Sequence, residues 1–131
     1  MKSYTNVEQS KKLAEILPPD SADMEYLLEQ WIDEKTGRHK EEFYEIPVVK
    51  VDDDPFQPIT LDCWSLMALL DILPHCIDDR YDLVLGKLSD NTGWYVMYDD
   101  VDHFTRFYVT QSDLIDACIE MIVWLKENEK L

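Results

Sequence analysis

Apolar residues recur along this chain at two periods, and each period marks a different kind of element. Toward the C-terminal end, Leu114, Ile115, Cys118, Met121, Ile122 and Leu125 are spaced by three and four, which places all six on one face of a helix. Ser112 offers a hydroxyl cap at its start, and Lys126 and Lys130 lie at its C-terminal end, where the helix dipole favours cations. A second helix is expected near the N-terminus. Thr5-Asn6-Val7-Glu8 has the spacing of a capping box with Thr5 as the cap, and Leu13, Ile16 and Leu17 then share a face. Pro18-Pro19 ends that helix, because proline lacks the N–H and disfavours helix in the residue before it. A third is expected from Leu61 or Asp62 to Leu73, with Trp64, Met67, Leu70 and Leu73 as its apolar set and Pro74 as its stop.

Elsewhere the period shortens toward two. Phe43 to Val51 reads as a strand, as do Tyr81 to Leu88, Trp94 to Tyr98 and Phe104 to Val109. Turn signals at Ser89–Gly93 and Asp99–His103 join the last three into an antiparallel meander. Met24 to Ile32 satisfies both periods. Met24, Leu27, Leu28, Trp31 and Ile32 suit a helix, whereas Met24, Tyr26, Leu28 and Ile32 suit a strand. The turn signal Thr36-Gly37-Arg38 tilts the reading toward a hairpin with the strand that follows. The resulting order, α-β-β-α-β-β-β-α, is that of an α+β domain: an antiparallel sheet of about five strands with three helices on one face. A length of 131 residues fits one domain, taken as residues 1–131.

Charge changes this picture more than composition does. The chain has 28 acidic residues against 12 basic ones, a net charge of −16. From Val51 to Asp102 there are twelve Asp and no Glu, set against only Arg80 and Lys87, a net of −10 for that stretch. A nucleic-acid binder needs a basic face to displace counterions from phosphates, so direct nucleic-acid binding is excluded as an expectation. Three glycines argue against a Gly-rich phosphate loop, and 46% hydrophobic residues argue for a packed core in spite of the charge. The polar start has no apolar signal region, and no apolar run approaches the roughly 18 residues of a membrane span. With Cys63, Cys76 and Cys118 read as free thiols, a cytoplasmic location and no membrane association are expected.

Three stretches, Glu8 to Met24 (EQSKKLAEILPPDSADM), Cys63 to Pro74 (CWSLMALLDILP) and Asp116 to Glu127 (DACIEMIVWLKE), together resemble a family of short proteins found in bacterial genomes and their prophage-like mobile elements. The resemblance spans both ends and the middle of the chain, so it implies a shared fold and a small accessory protein of phage or mobile-element origin. It implies no activity and carries over no catalytic or binding residue.

The densest cluster with metal-binding chemistry is Asp99, Asp100, Asp102 and His103, where carboxylate oxygens at a turn suit Ca²⁺ or Mg²⁺. Its spacing matches no known loop, and acidic residues favour tight turns for reasons of their own. Cys63, His75, Cys76 and Cys118 lack the close Cys spacing of a zinc site, and Cys63 and Cys118, at apolar helix positions, read as small buried hydrophobes. Cys63, near an expected helix start, has only that position to support a nucleophilic role. No catalytic constellation is recognisable and no cofactor is implied. The expected function is therefore protein binding, with a basic partner in its sharper form. Asp52, Asp53 and Asp54, Asp78 and Asp79, and the aromatic Trp94 are the expected contact residues. The alternatives are a divalent-metal module or metal-dependent enzyme at the Asp99–His103 turn, and a structural subunit or homodimer.

Overall fold

The computed structural model describes residues 2–51 and 59–131; Asp52, Asp53 and Asp54 lie outside them. The elements are α1 (Val7–Ala14), a 3₁₀ turn (Pro19–Ser21), β1 (Met24–Ile32), β2 (His39–Phe43), β3 (Val48–Val49), β4 (Thr60–Cys63), α2 (Leu66–Ile72), β5 (Cys76–Ile77), β6 (Tyr81–Lys87), β7 (Trp94–Asp99), β8 (Thr105–Gln111) and α3 (Leu114–Glu127). The class is α+β, as the periods indicate. The strands form two four-stranded antiparallel sheets, however, where one sheet of about five was expected. The chain comprises two compact units, one of Thr5–Ser65 and the other of Met1–Tyr4 with Leu66–Leu131.

In the Thr5–Ser65 unit the ambiguous segment is a strand. β1 pairs with β2 through Leu28–Ile32, and with β3 and β4 through its first residues, Met24–Leu27. Backbone partners on both edges decide the matter, since a helix here would strand β2, β3 and β4 without theirs. The β1–β2 hairpin closes around Gly37, whose φ of +67° is a conformation that glycine adopts without steric cost. α1 packs on β4. Its cap is Asn6, not Thr5: Asn6 Oδ1 accepts from the Gln9 N–H at 2.8 Å, and Gln9 Oε1 accepts from the Asn6 N–H at 3.0 Å. Thr5 is buried instead. Its Oγ1 accepts from the Trp64 N–H at 3.1 Å and lies 2.8 Å from Ser10 Oγ, while its carbonyl accepts from the Tyr26 hydroxyl at 2.7 Å.

The helix expected from Leu61 begins later, at Leu66, because Thr60–Cys63 is β4 and pairs with Met24–Leu27. Trp64 therefore belongs to no helix. It is fully buried in the Thr5–Ser65 unit, with its indole N–H donating to Ser21 Oγ at 3.0 Å. The Asp23 carboxylate accepts from both the N–H and the hydroxyl of Ser65, which fixes the chain where the strand ends.

In the second unit the sheet order is β5-β6-β7-β8, with α3 packed on β7 and β8 and α2 packed on α3. All six stripe residues of α3 are buried, joined by Ala117 and Ile119. They meet Val96, Tyr98 and Val109 from the sheet's inner face, and Phe107 stacks on Trp124 with ring centroids 4.4 Å apart. The cap of α3 is Asp113, one residue beyond Ser112. Its Oδ1 accepts from the Ile115 N–H and its Oδ2 from the Lys2 backbone N–H, both at 2.9 Å. On α2 the buried positions are Leu69 and, just past the helix end, Leu73; Met67, expected in the apolar set, is 73% exposed.

Candidate functional site

The acidic turns of the second unit meet at one end of its sheet. Asp78-Asp79-Arg80 links β5 to β6, and Asp82 at the start of β6 pairs with Asp99 at the end of β7, so the Asp99–His103 turn lies beside it. Asp78 and Asp79 both have left-handed backbones, with φ of 55° and 52°. Aspartate is among the few non-glycine types that tolerate this conformation, and Lys130 neutralises Asp78 at 2.5 Å. The Asp-Asp pair is thus turn chemistry first.

Asp100 is the one buried charged side chain among the described residues. Its Oδ1 accepts from the N–H groups of Asp102 and Phe104, each at 2.9 Å, and its Oδ2 accepts from Arg80 Nε at 3.0 Å and Nη2 at 2.9 Å. The Phe104 N–H foremost, with the Arg80 guanidinium and the Asp102 N–H, holds the carboxyl below its usual range. His103 adopts a left-handed backbone and places Nδ1 3.5 Å from Asp99 Oδ2. The carboxylate expected to ligate a metal is therefore committed to building its own turn. Among the described residues, no three His, Cys, Asp or Glu side chains are grouped so as to hold a metal ion.

The remaining candidates are dispersed. Trp94 begins β7, half-buried, with the Lys87 ammonium 5.3 Å above its ring. Asp82 pairs with Asp99 at one end of the β6–β7 ladder and Lys87 with Trp94 at the other, so Asp78 and Asp79 lie roughly 20 Å from Trp94 along the strands. They do not form one patch with it. Cys63 lies in β4 rather than at a helix start, and burial pushes its thiol up. Burial pushes Cys118 up to about 12. Both shifts oppose the thiolate that a nucleophile requires.

A surface that single-strand periodicity does not reveal emerges in the Thr5–Ser65 unit. Side chains alternate across β1. Tyr26 and Leu28 face the side of the sheet that α1 covers, where Tyr26 bonds Thr5 and Leu28 shares a pocket with Val7 and Lys11 of α1. The opposite face carries Glu25, Leu27, Glu29 and Trp31, with Lys40 and Glu42 of β2. Between β2 and β3 the chain bulges. The Tyr44 N–H donates to the Leu27 carbonyl, yet Val48 stands opposite Glu25, so four residues on one side span two on the other. The bulge pushes Ile46 out to 73% exposure and leaves Tyr44 and Val48 exposed. Leu27, Tyr44, Glu45, Ile46 and Val48 line an open groove of about 570 Å³. The register that builds this face, Leu28 opposite Phe43 and Glu29 opposite Glu42, becomes visible only once the hairpin is paired.

No family model, curated protein or solved structure matches this chain.

Proposed function

We propose that this is a non-enzymatic protein-binding accessory module, and that its contact surface is the open face of the β1–β2–β3 sheet. The observation that carries the reading is the groove lined by half-buried Leu27 and exposed Tyr44, Ile46 and Val48, an apolar surface on the face of the sheet opposite buried Tyr26. Exposed contiguous apolar surface of this kind marks interaction sites, and aromatic and aliphatic anchors dominate binding energy where they are desolvated. The acidity of the chain, −16 overall, supports a basic partner by steering association electrostatically. It opposes nucleic acid and anionic membranes, and no helix of the described residues is long and apolar enough to cross a bilayer. Three free cysteines fit a reducing cytoplasm. The resemblance of the helix and cap segments supports an origin in a phage or mobile element.

The test is affinity capture with the wild type and with Ile46→Asp, a change at an exposed position that leaves the core intact. The reading expects proteins retained by the wild type and released by salt to be lost with Ile46→Asp, while circular dichroism of the variant is unchanged. Equal retention by both would place the contact elsewhere and refute it.

A further inference from the structure

The open face carries a second feature, and it concerns charge. Glu29 and Glu42 stand directly opposite each other across the β1–β2 ladder, which puts their Cβ atoms about 5 Å apart on the same face. Like charges in this arrangement destabilise a hairpin. Among the described residues neither carboxylate has an ion-pair partner; of the cations on this face, Lys40 stands opposite Trp31 one pair farther along, and Lys50 is bonded to Asp62. The two glutamates therefore lie between the Leu27–Tyr44 end of the groove and the indole of Trp31, which is 41% exposed.

Resting on the reading above, we infer that the groove takes a cationic amphipathic segment of another protein, with an Arg or Lys seated between Glu29 and Glu42. A cation there converts a repulsive pair into two attractive contacts. A guanidinium can bond both carboxylates and stack on Trp31, while the apolar neighbours of that residue fill the space over Leu27, Tyr44, Ile46 and Val48. A second copy of this chain is the wrong occupant. A two-fold contact through this face would bring two copies of the acidic patch of Glu29, Glu42 and Glu45 into one interface, on molecules that each carry −16.

Three synthetic dodecapeptides of the repeat Val-Xaa-Leu-Ser, with Arg, Gln or Glu at Xaa, provide the probe. Calorimetry gives affinity, and amide chemical-shift mapping gives location. The Arg peptide is expected to bind and to shift residues of β1, β2 and the bulge. E29Q/E42Q should weaken it by about tenfold, whereas E127Q/E129Q, an equal change in net charge in the other unit, should weaken it far less. E29Q/E42Q should also melt no lower than the wild type, since a repulsive pair has been removed. If the Gln peptide binds as tightly as the Arg peptide, or the two double variants weaken binding equally, the cation seat is refuted while the apolar face stands. If no peptide shifts this face, or Ile46→Asp leaves binding unchanged, the docking surface itself falls. Sedimentation showing a dimer that Ile46→Asp dissolves would assign the face to a second copy and overturn the inference.

Discussion

Asp100 ties the stability of one turn to its own ionisation. Its pKa in the folded state lies below the ordinary 3.8, so the charged form favours the native state. That contribution is complete above the ordinary value and is lost as pH falls through the lower, folded one. Thermal melts should therefore show the wild type losing stability below about pH 4, the ordinary carboxylate range, as this carboxyl and others protonate. Asp100→Asn should melt lower at neutral pH and decline less steeply in acid, because its side chain cannot titrate. Parallel acid limbs for the two proteins would contradict the role given to the carboxylate. This residue was visible in the sequence as part of a dense acidic cluster, but not for what it does: its partners, Arg80 and the Phe104 N–H, are fixed by strand pairing. The caps show the same limit on a smaller scale. Thr5 with Glu8 and Asn6 with Gln9 have identical spacing, and Ser112 and Asp113 are adjacent residues that both suit a cap. At α1 the core buries Thr5 and leaves the cap to Asn6; at α3 exposed Ser112 is passed over for Asp113, whose carboxylate also reaches the Lys2 N–H.

Among the elements, α3 was the most legible because its apolar period is sustained over Leu114–Glu127, and every stripe position is buried. Its cap is also its most testable feature. Asp113→Ala removes acceptors from the Ile115 and Lys2 N–H groups and should cost about 1 kcal/mol. That is roughly 3–6 °C in melting temperature for a chain of this size; Asp113→Asn, which keeps one acceptor, should recover part of it. No measurable shift in either variant would mean that the cap adds nothing to stability. β3 and β5, at two residues each, are too short to have a period. They exist because neighbours supply their hydrogen bonds, and β4 was absorbed into the expected helix for the same reason. The candidate site failed to show in the sequence at this level. Leu27, Tyr44, Ile46 and Val48 become a surface only through the pairing register and the bulge, and neither can be read from one strand at a time.

For the whole molecule, the α+β class followed from the alternation of periods, but the division into two sheets did not. The order of elements is nearly the one expected; the unforeseen short strands and the partner choice of β1 make the difference. A net charge of −16 repels itself in any compact state. The melting temperature at neutral pH should accordingly rise with added NaCl over a range in which the Debye length shrinks from roughly 30 to 10 Å. A flat or falling response would show that pairs such as Lys50–Asp62 and Lys2–Asp116, which salt weakens, outweigh the repulsion.

The contacts of Lys2 bear on the covalent continuity of the second unit, whose two pieces are far apart in sequence. Lys2 bonds Asp113 and Asp116 across more than a hundred residues of chain. The continuous Thr5–Ser65 unit is synthesised between them. During synthesis that unit emerges whole while Lys2 still waits for a helix not yet made. The start of α3 is therefore held by a residue more than a hundred positions away in sequence, and a change at Lys2 reaches that helix directly.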